Sequence, residues 1–450
     1  MLQAFRNAFV IPDLRAKLFV TLGILAVYRL LVWIPTPGIN AELFAQQVAA
    51  NNVFGLLNFI SGGNFEQFSV AALGVIPYIT ASIIIQLLTS VYPPFEKLSK
   101  EGEEGRRKIN QYTRYGALGL GAIQAFFLAT ALLGPSGALR VGWANGPFFW
   151  FVVVVTQVAG IALVMWLGEK ITEYGLGNGI SLIIYAGIIA AFPGALQQEF
   201  TLIANGQQSI FNLIAFLVML VIAIAGMVLI QQAERRIPVQ YARQVQGQRG
   251  RVSGGQTTYI PMRLNAAGVI PIIFAVSIMV IPQTIFGLFP NQNWALTASN
   301  FFSPNTGFGL LISTTTGVGL LFSTLLIIAF TYFYTQISFD PRRISENLRE
   351  YGGFVPGVRP GQPTTEHLER ITRRITLWGA LFLGAVNAVP QIVAWITRAE
   401  SLSFVFSGTG ILIMVGVALD TLRQIETQLT MRHYEGFVRG GSIRGRGRRM

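Results

Sequence analysis

The sequence predicts an all-α polytopic membrane protein of ten transmembrane helices, and three observations predict it. Hydrophobic residues make up 52% of the 450 positions and charged residues only 12%, with a mean hydropathy of +0.53, a balance suited to a bilayer rather than to water. Leu264 to Phe339 form a run of 76 residues without Asp, Glu, Lys or Arg. A single crossing takes about 20 apolar residues, so this run holds two spans and a turn. The third observation is that Lys and Arg collect in alternate connecting segments.

Apolar stretches lie near residues 18–34, 68–90, 115–134, 148–168, 179–192, 211–230, 265–285, 309–337, 375–396 and 403–420. With the N-terminus inside, 30 of the 33 Lys and Arg fall in inside segments, whereas the outside loops hold only Arg140 and Arg398. Basic residues are retained on the cytoplasmic side, so the alternation supports both the count of ten and cytoplasmic termini. The parcels are a cytoplasmic segment 1–17, a first half 18–192, an outer hinge loop 193–210, a second half 211–421 and a basic tail 422–450. Five spans per half invert the second half relative to the first, as in many membrane pathways. The first apolar stretch ends in Trp33-Ile34-Pro35-Thr36-Pro37-Gly38 rather than in a small-residue cleavage site, so it reads as a retained helix.

Several chemistries find no support. Cysteine is absent, and His367 and His433, the two histidines, lie in polar segments, so thiolate and histidine-cluster chemistry at membrane depth is excluded. No metal and no cofactor is expected, and the chain reads as a non-enzyme. Glu101, Glu103 and Glu104 belong to a solvated charged loop. Gly175-Leu176-Gly177-Asn178-Gly179 lacks the preceding strand and following lysine of a phosphate loop. Ion-coupled transport usually places ionisable groups near the midplane, yet Arg29 is the one clear charge inside a span. An arginine there either snorkels to the outer interface or pairs with backbone carbonyls.

Five long segments, in order, carry a resemblance. They are Ala72 to Leu88, with Gly74, Pro77 and Gln86; Trp166 to Ser181, with Glu169 and Gly177-Asn178-Gly179; Arg235 to Arg243; Asn265 to Phe274; and Tyr351 to Gly361. Together they resemble the SecY/Sec61α family of protein-translocation channels across nearly the whole chain. The resemblance implies two five-helix halves around a central hourglass pore, opening sideways between helices two and three and helices seven and eight. It also implies polypeptides as cargo: secretory chains cross, and signal sequences and membrane helices leave laterally into lipid.

By motif, the resemblance assigns a pore ring to Val75, Ile79, Ile180, Ile184, Ile273 and Ile413. Val75/Ile79 and Ile180/Ile184 are i,i+4 pairs and share a helical face; on residues alone such pairs equally suit lipid-facing or core positions. A narrow aliphatic constriction dewets and resists hydrated ions without demanding a particular passenger sequence. Residues 53–65, including Phe54, Leu57, Phe59, Ile60, Gly62 and Gly63, are apolar but too short to span. They match the family's plug, with an interfacial helix on the outer leaflet as the other reading. Ser82, Gln86, Ser277 and Gln283 are candidates for polar contacts across the lateral gate, each bond worth on the order of 0.6 kcal/mol in lipid.

The inside loops 231–264 and 338–374 exceed what joining neighbouring helices requires. Their Arg235, Arg236, Arg243, Arg249, Arg251 and Arg359 are candidates for docking ribosomal RNA phosphates or an acidic motor surface. No nucleotide-binding motif occurs, so the resemblance assigns the work to the SecA motor ATPase or the translating ribosome, with SecE and SecG as small membrane partners in the bacterial plasma membrane. The Arg- and Gly-rich tail from Arg439 to Arg449 suits anionic lipid or ribosome. A small-solute transporter and an intramembrane enzyme or lipid scramblase are the competing classes; each needs a polar site at membrane depth that the spans do not offer.

Overall fold

The computed structural model describes residues 11–50, 61–133, 139–140, 142–241, 257–265, 268–287, 292–294, 298, 317–397 and 408–440. Ten long helices answer the ten apolar stretches one for one: α1 (Pro12–Leu30), α3 (Ile76–Val91), α5 (Glu103–Phe127), α6 (Pro147–Tyr174), α7 (Gly179–Ala204), α8 (Ile210–Gln232), α9 (Ile270–Gly287), α10 (Gly317–Ser338), α12 (Gln362–Thr397) and α13 (Gly408–Gly440). Shorter helices are α2 (Ala41–Ala50), α4 (Pro93–Lys100) and α11 (Pro341–Glu350). The protein is a multi-pass helical membrane protein.

Among the described residues, five of these helices, α1, α6, α7, α8 and α10, are long and apolar enough by themselves to cross a bilayer. The others have visible reasons to fall short. α5 begins in cytoplasm-like sequence, with Glu103–Arg107 (3.4 Å) and Glu104–Lys108 (3.2 Å) pairs one turn apart. α3 meets α4 at a 96° bend at Pro93-Pro94, where proline removes the donors that would continue the helix. α12 and α13 carry charged turns at the ends where their neighbours are also charged.

Several boundaries differ from the sequence expectation: α7 continues as helix through Pro193 to Ala204, so most of the segment 193–210 expected as an outer hinge loop is helical. The second span begins at Ile76 rather than near 68, because residues 62–75 form successive turns and Pro77 sits in the first helical turn, the position proline favours. The loops after the sixth and eighth spans join in one sheet of order β2-β1-β3. β1 (Glu234–Tyr241) pairs antiparallel with β2 (Thr257–Arg263), Ile237 opposite Ile260, and with β3 (Gly353–Phe354), Tyr241 opposite Gly353. Ile237, Val239, Met262, Leu348, Val355, Leu368 and Ile371 form a separate apolar core beneath this sheet, closed by α11 and the first turns of α12. α11 is started by Asp340, whose carboxylate accepts from the backbone N–H of Arg342 (3.0 Å) and Arg343 (3.3 Å).

One main apolar cluster runs through both halves, from Tyr28, Val75 and Ile184 to Phe274, Leu383 and Ile413. Polar links stitch individual pairs within it: Asn387 of α12 donates to the hydroxyls of Ser323 (3.1 Å) and Thr324 (3.3 Å) on α10.

Candidate functional site

The six aliphatic side chains assigned to a ring come from four helices and the turn before α3, and all six belong to the main apolar cluster. Val75, Ile79, Ile184 and Ile413 are buried, while Ile180 and Ile273 are half-exposed and packed against them. α7 starts at Gly179 because Asn178 caps it, accepting from Ser181 N–H at 3.2 Å; this sets Ile180 and Ile184 on one face, one turn apart.

On the side of the ring that carries the sheet lies a cavity of about 440 Å³. Asn178, Ser181, Gln231, Arg263, Asn265, Asp420, Arg423 and Gln424 give it polar walls, and Ile273 of the ring lies at its edge. Helices from both halves meet there: the backbone N–H of Gly177 donates to Gln424 Oε1 at 2.9 Å, and Arg423 donates to the Gln231 carbonyl at 2.9 Å. The cavity is therefore half polar and half apolar, with Val269, Ile270 and Val417 beside Ile273 on its apolar side.

Of the residues assigned to the plug, Phe54, Leu57, Phe59 and Ile60 lie outside the described residues, whereas Gly62 and Gly63 are described, both with positive φ. The segment 61–75 that follows is buried, non-helical backbone among the spanning helices, and such backbone must find its partners in protein. Tyr28 donates to the Ser61 carbonyl (3.1 Å), and Arg29 donates to the Gly62 carbonyl (2.7 Å). Gln157 of α6 donates to Thr36 Oγ1 and to the Ser69 carbonyl (both 2.9 Å) and accepts from Leu73 N–H (3.4 Å). Arg29 therefore takes the second of its two sequence readings, pairing with a backbone carbonyl. Gln157 was missed, because a lone glutamine in an apolar span carries no spacing signal.

At the assigned gate, the Gln86 side chain of α3 reaches toward the Tyr334 hydroxyl of α10, and Tyr334 packs edge-on against Phe274 of α9 at 6.1 Å. Ser277 is buried and Ser82 half-buried, and among the described residues no hydrogen bond joins them. The side chain of Gln283 lies outside the described residues.

Of the docking arginines, Arg243, Arg249 and Arg251 lie outside the described residues. Arg235 and Arg236 are exposed on β1, with Arg236 bound to Glu234 at 2.7 Å. Arg359 is exposed in the loop after β3, where its carbonyl accepts from the Thr364 hydroxyl at 2.8 Å. The sheet thus brings the two basic loops onto one platform.

Packed apolar helices from both halves of the chain, with a partly polar cavity where the halves meet, have the arrangement of a helical membrane channel in class. The SecY family model matches residues 69–422, and the chain belongs to the SecY family. The protein translocase subunit SecY of Thermus thermophilus is 56% identical over 452 residues, covering 100% of both chains. That of Thermotoga maritima is 43% identical over 453 residues, covering 99% of this chain and 100% of the relative. Among solved structures, a protein-conducting channel superposes with a TM-score of 0.67 at 18% identity, covering 96% of this chain and 95% of the other. Sec61 from a canine ribosome-channel complex gives 0.64 at 18% identity, with coverages of 96% and 95%. At that identity these two likenesses establish the ten-helix fold.

Proposed function

We propose that the chain is the protein-conducting channel subunit of a bacterial protein translocase. It passes unfolded secretory polypeptides across the plasma membrane and releases signal sequences and transmembrane helices sideways into lipid. The observation that carries this reading is the end-to-end 56% identity to a translocase subunit, in a chain whose partly polar cavity adjoins an aliphatic cluster.

An extended chain enters the cavity, where amide, hydroxyl and charged side chains substitute for water around its backbone. At the ring it meets only branched aliphatic groups, which pack around any passenger and leave ions no hydrated path. Weak polar contacts between α3 and the helices of the second half let the halves part for an apolar segment. The basic retention of Lys and Arg puts both termini and the sheet in the cytoplasm, where Arg235, Arg236 and Arg359 face a partner. The canine relative's ribosome complex supports a ribosome there; the SecA motor and the SecE and SecG subunits follow from the family resemblance. The chain acts as a conduit and performs no catalysis.

The test is reconstitution of the chain with SecE and SecG in vesicles, with SecA and ATP outside and a secretory precursor as cargo. Protease-protected precursor that depends on this chain is the expected result. Saturable uptake of a small solute with no protected precursor favours the transporter reading instead.

A further inference from the structure

Gly62 is buried at the start of the connector of turns that leads into α3. Its φ of +69° suits glycine, and a Cβ placed on it would strike the backbone of Gly187 on α7. Gly187 stands three residues, or nearly one turn, beyond Ile184, on the side of the ring away from the partly polar cavity. Two glycines therefore allow the connector to lie directly on the pore helix, just outward of the ring, at a separation no side chain permits. From the other side, the Arg29 guanidinium donates to the Gly62 carbonyl at 2.7 Å. That carbonyl is the acceptor the structure shows for the Arg29 guanidinium among the described residues. A hydrogen bond from a charged donor is stronger than a neutral one, and the Gly62 end of this one is buried.

We propose that Arg29 and Gly187 form a catch that seats the connector against the ring and thereby sets the resting closure of the channel. Both are positioning residues. Arg29 holds the backbone of Gly62 down, and Gly187 supplies the vacancy into which it is held. Opening requires the carbonyl of Gly62 to leave the guanidinium, so a signal segment or passenger must replace that interaction before the outer mouth clears. The proposal rests on the reading of the aliphatic cluster as a seal, and the experiment separates the two.

The complete complex is placed in planar bilayers without cargo, and resting ion conductance is compared for the parent, Arg29→Met, Arg29→Lys, Gly187→Ala and the ring variant Ile79→Gly. A second readout, in a Ser61→Cys background, is the rate of labelling by an impermeant maleimide added to the outer side; the absence of natural cysteine makes this label specific. Arg29→Met and Gly187→Ala are expected to conduct severalfold more than the parent, and Arg29→Met to label severalfold faster. Arg29→Lys, which keeps a charged donor, is expected to stay near the parent. If Ile79→Gly leaks but Arg29→Met and Gly187→Ala neither leak nor label faster, the catch is overturned and the seal stands. If the catch variants leak and Ile79→Gly does not, the catch stands and the ring reading falls. Equal leak from Arg29→Lys and Arg29→Met would overturn the role given to the hydrogen bond. Should Gly187→Ala fail to assemble, the Arg29 pair and the labelling rate still decide the matter.

Discussion

The Gln86 side chain of α3, in the first half of the chain, reaches toward the Tyr334 hydroxyl of α10, in the second. Tyr334 is also held by its ring, edge-on to Phe274, so the hydroxyl can be removed while the packing stays. This makes the pair a clean probe of how firmly the halves are closed.

Tyr334→Phe and Gln86→Leu are each expected to ease opening. An interhelical hydrogen bond in lipid averages about 0.6 kcal/mol, or about threefold in an opening equilibrium. Export of a precursor with a weakened signal sequence should rise by that order, and the double variant should add little to either single one. Unchanged or reduced export of the weak precursor in both variants would contradict a gating role.

The link between Gly177 and Gln424 joins the halves on the cavity side. Gly177 has a φ of +84° and donates to Gln424 Oε1 at 2.9 Å. Gln424→Leu leaves that N–H without its partner, at a cost of about 1 to 3 kcal/mol if water cannot reach it. Thermal unfolding of the purified protein in detergent should move to lower temperature, whereas the Lys100→Ala change, at an exposed pair with Glu96, should leave it nearly unmoved.

Val239 is 1% exposed in the small core beneath the sheet. Val239→Asp puts an unpaired carboxylate there, a substitution with a cost of several kcal/mol. The cytoplasmic platform should become sensitive to protease while the spanning helices remain resistant, and binding of ribosome or motor should fall together. Retained binding with a digested platform would show that the sheet is not the docking surface.

Arg359 is exposed beside β3, on the same platform. Arg359→Glu should block motor-driven export and leave membrane insertion of the chain intact, measured by precursor protection and by the amount of protein in the membrane fraction. Normal export by this variant would remove Arg359 from the docking set.

The ten spans were legible because bilayer thickness and basic-residue retention write themselves into sequence, one as run length and the other as alternation. The start of the second span was not. Residues 68–75 are as apolar as the helix that follows, and their turns are held by Thr36 and Gln157, which approach from distant parts of the sequence. The sheet was half-visible: Ile237 and Val239 alternate inward along β1, a period-2 signal, but Arg235, Arg236 and Pro238 read as a charged loop. The ring residues were assigned by motif rather than by spacing, since an isoleucine pair on an apolar helix looks the same toward lipid, core or pore. Tyr334 escaped because its partner Gln86 lies almost 250 positions away.

The central claim is that the six aliphatic side chains surround a moving polypeptide. It is tested most directly by stalling a secretory chain halfway through the complex and crosslinking it from single cysteines at positions 79, 180, 273 and 413, with lipid-exposed Leu229 as the control. The account predicts crosslinks from all four positions to the stalled chain and none from position 229. Crosslinks to lipid alone from the four, or equal yield from position 229, would contradict it.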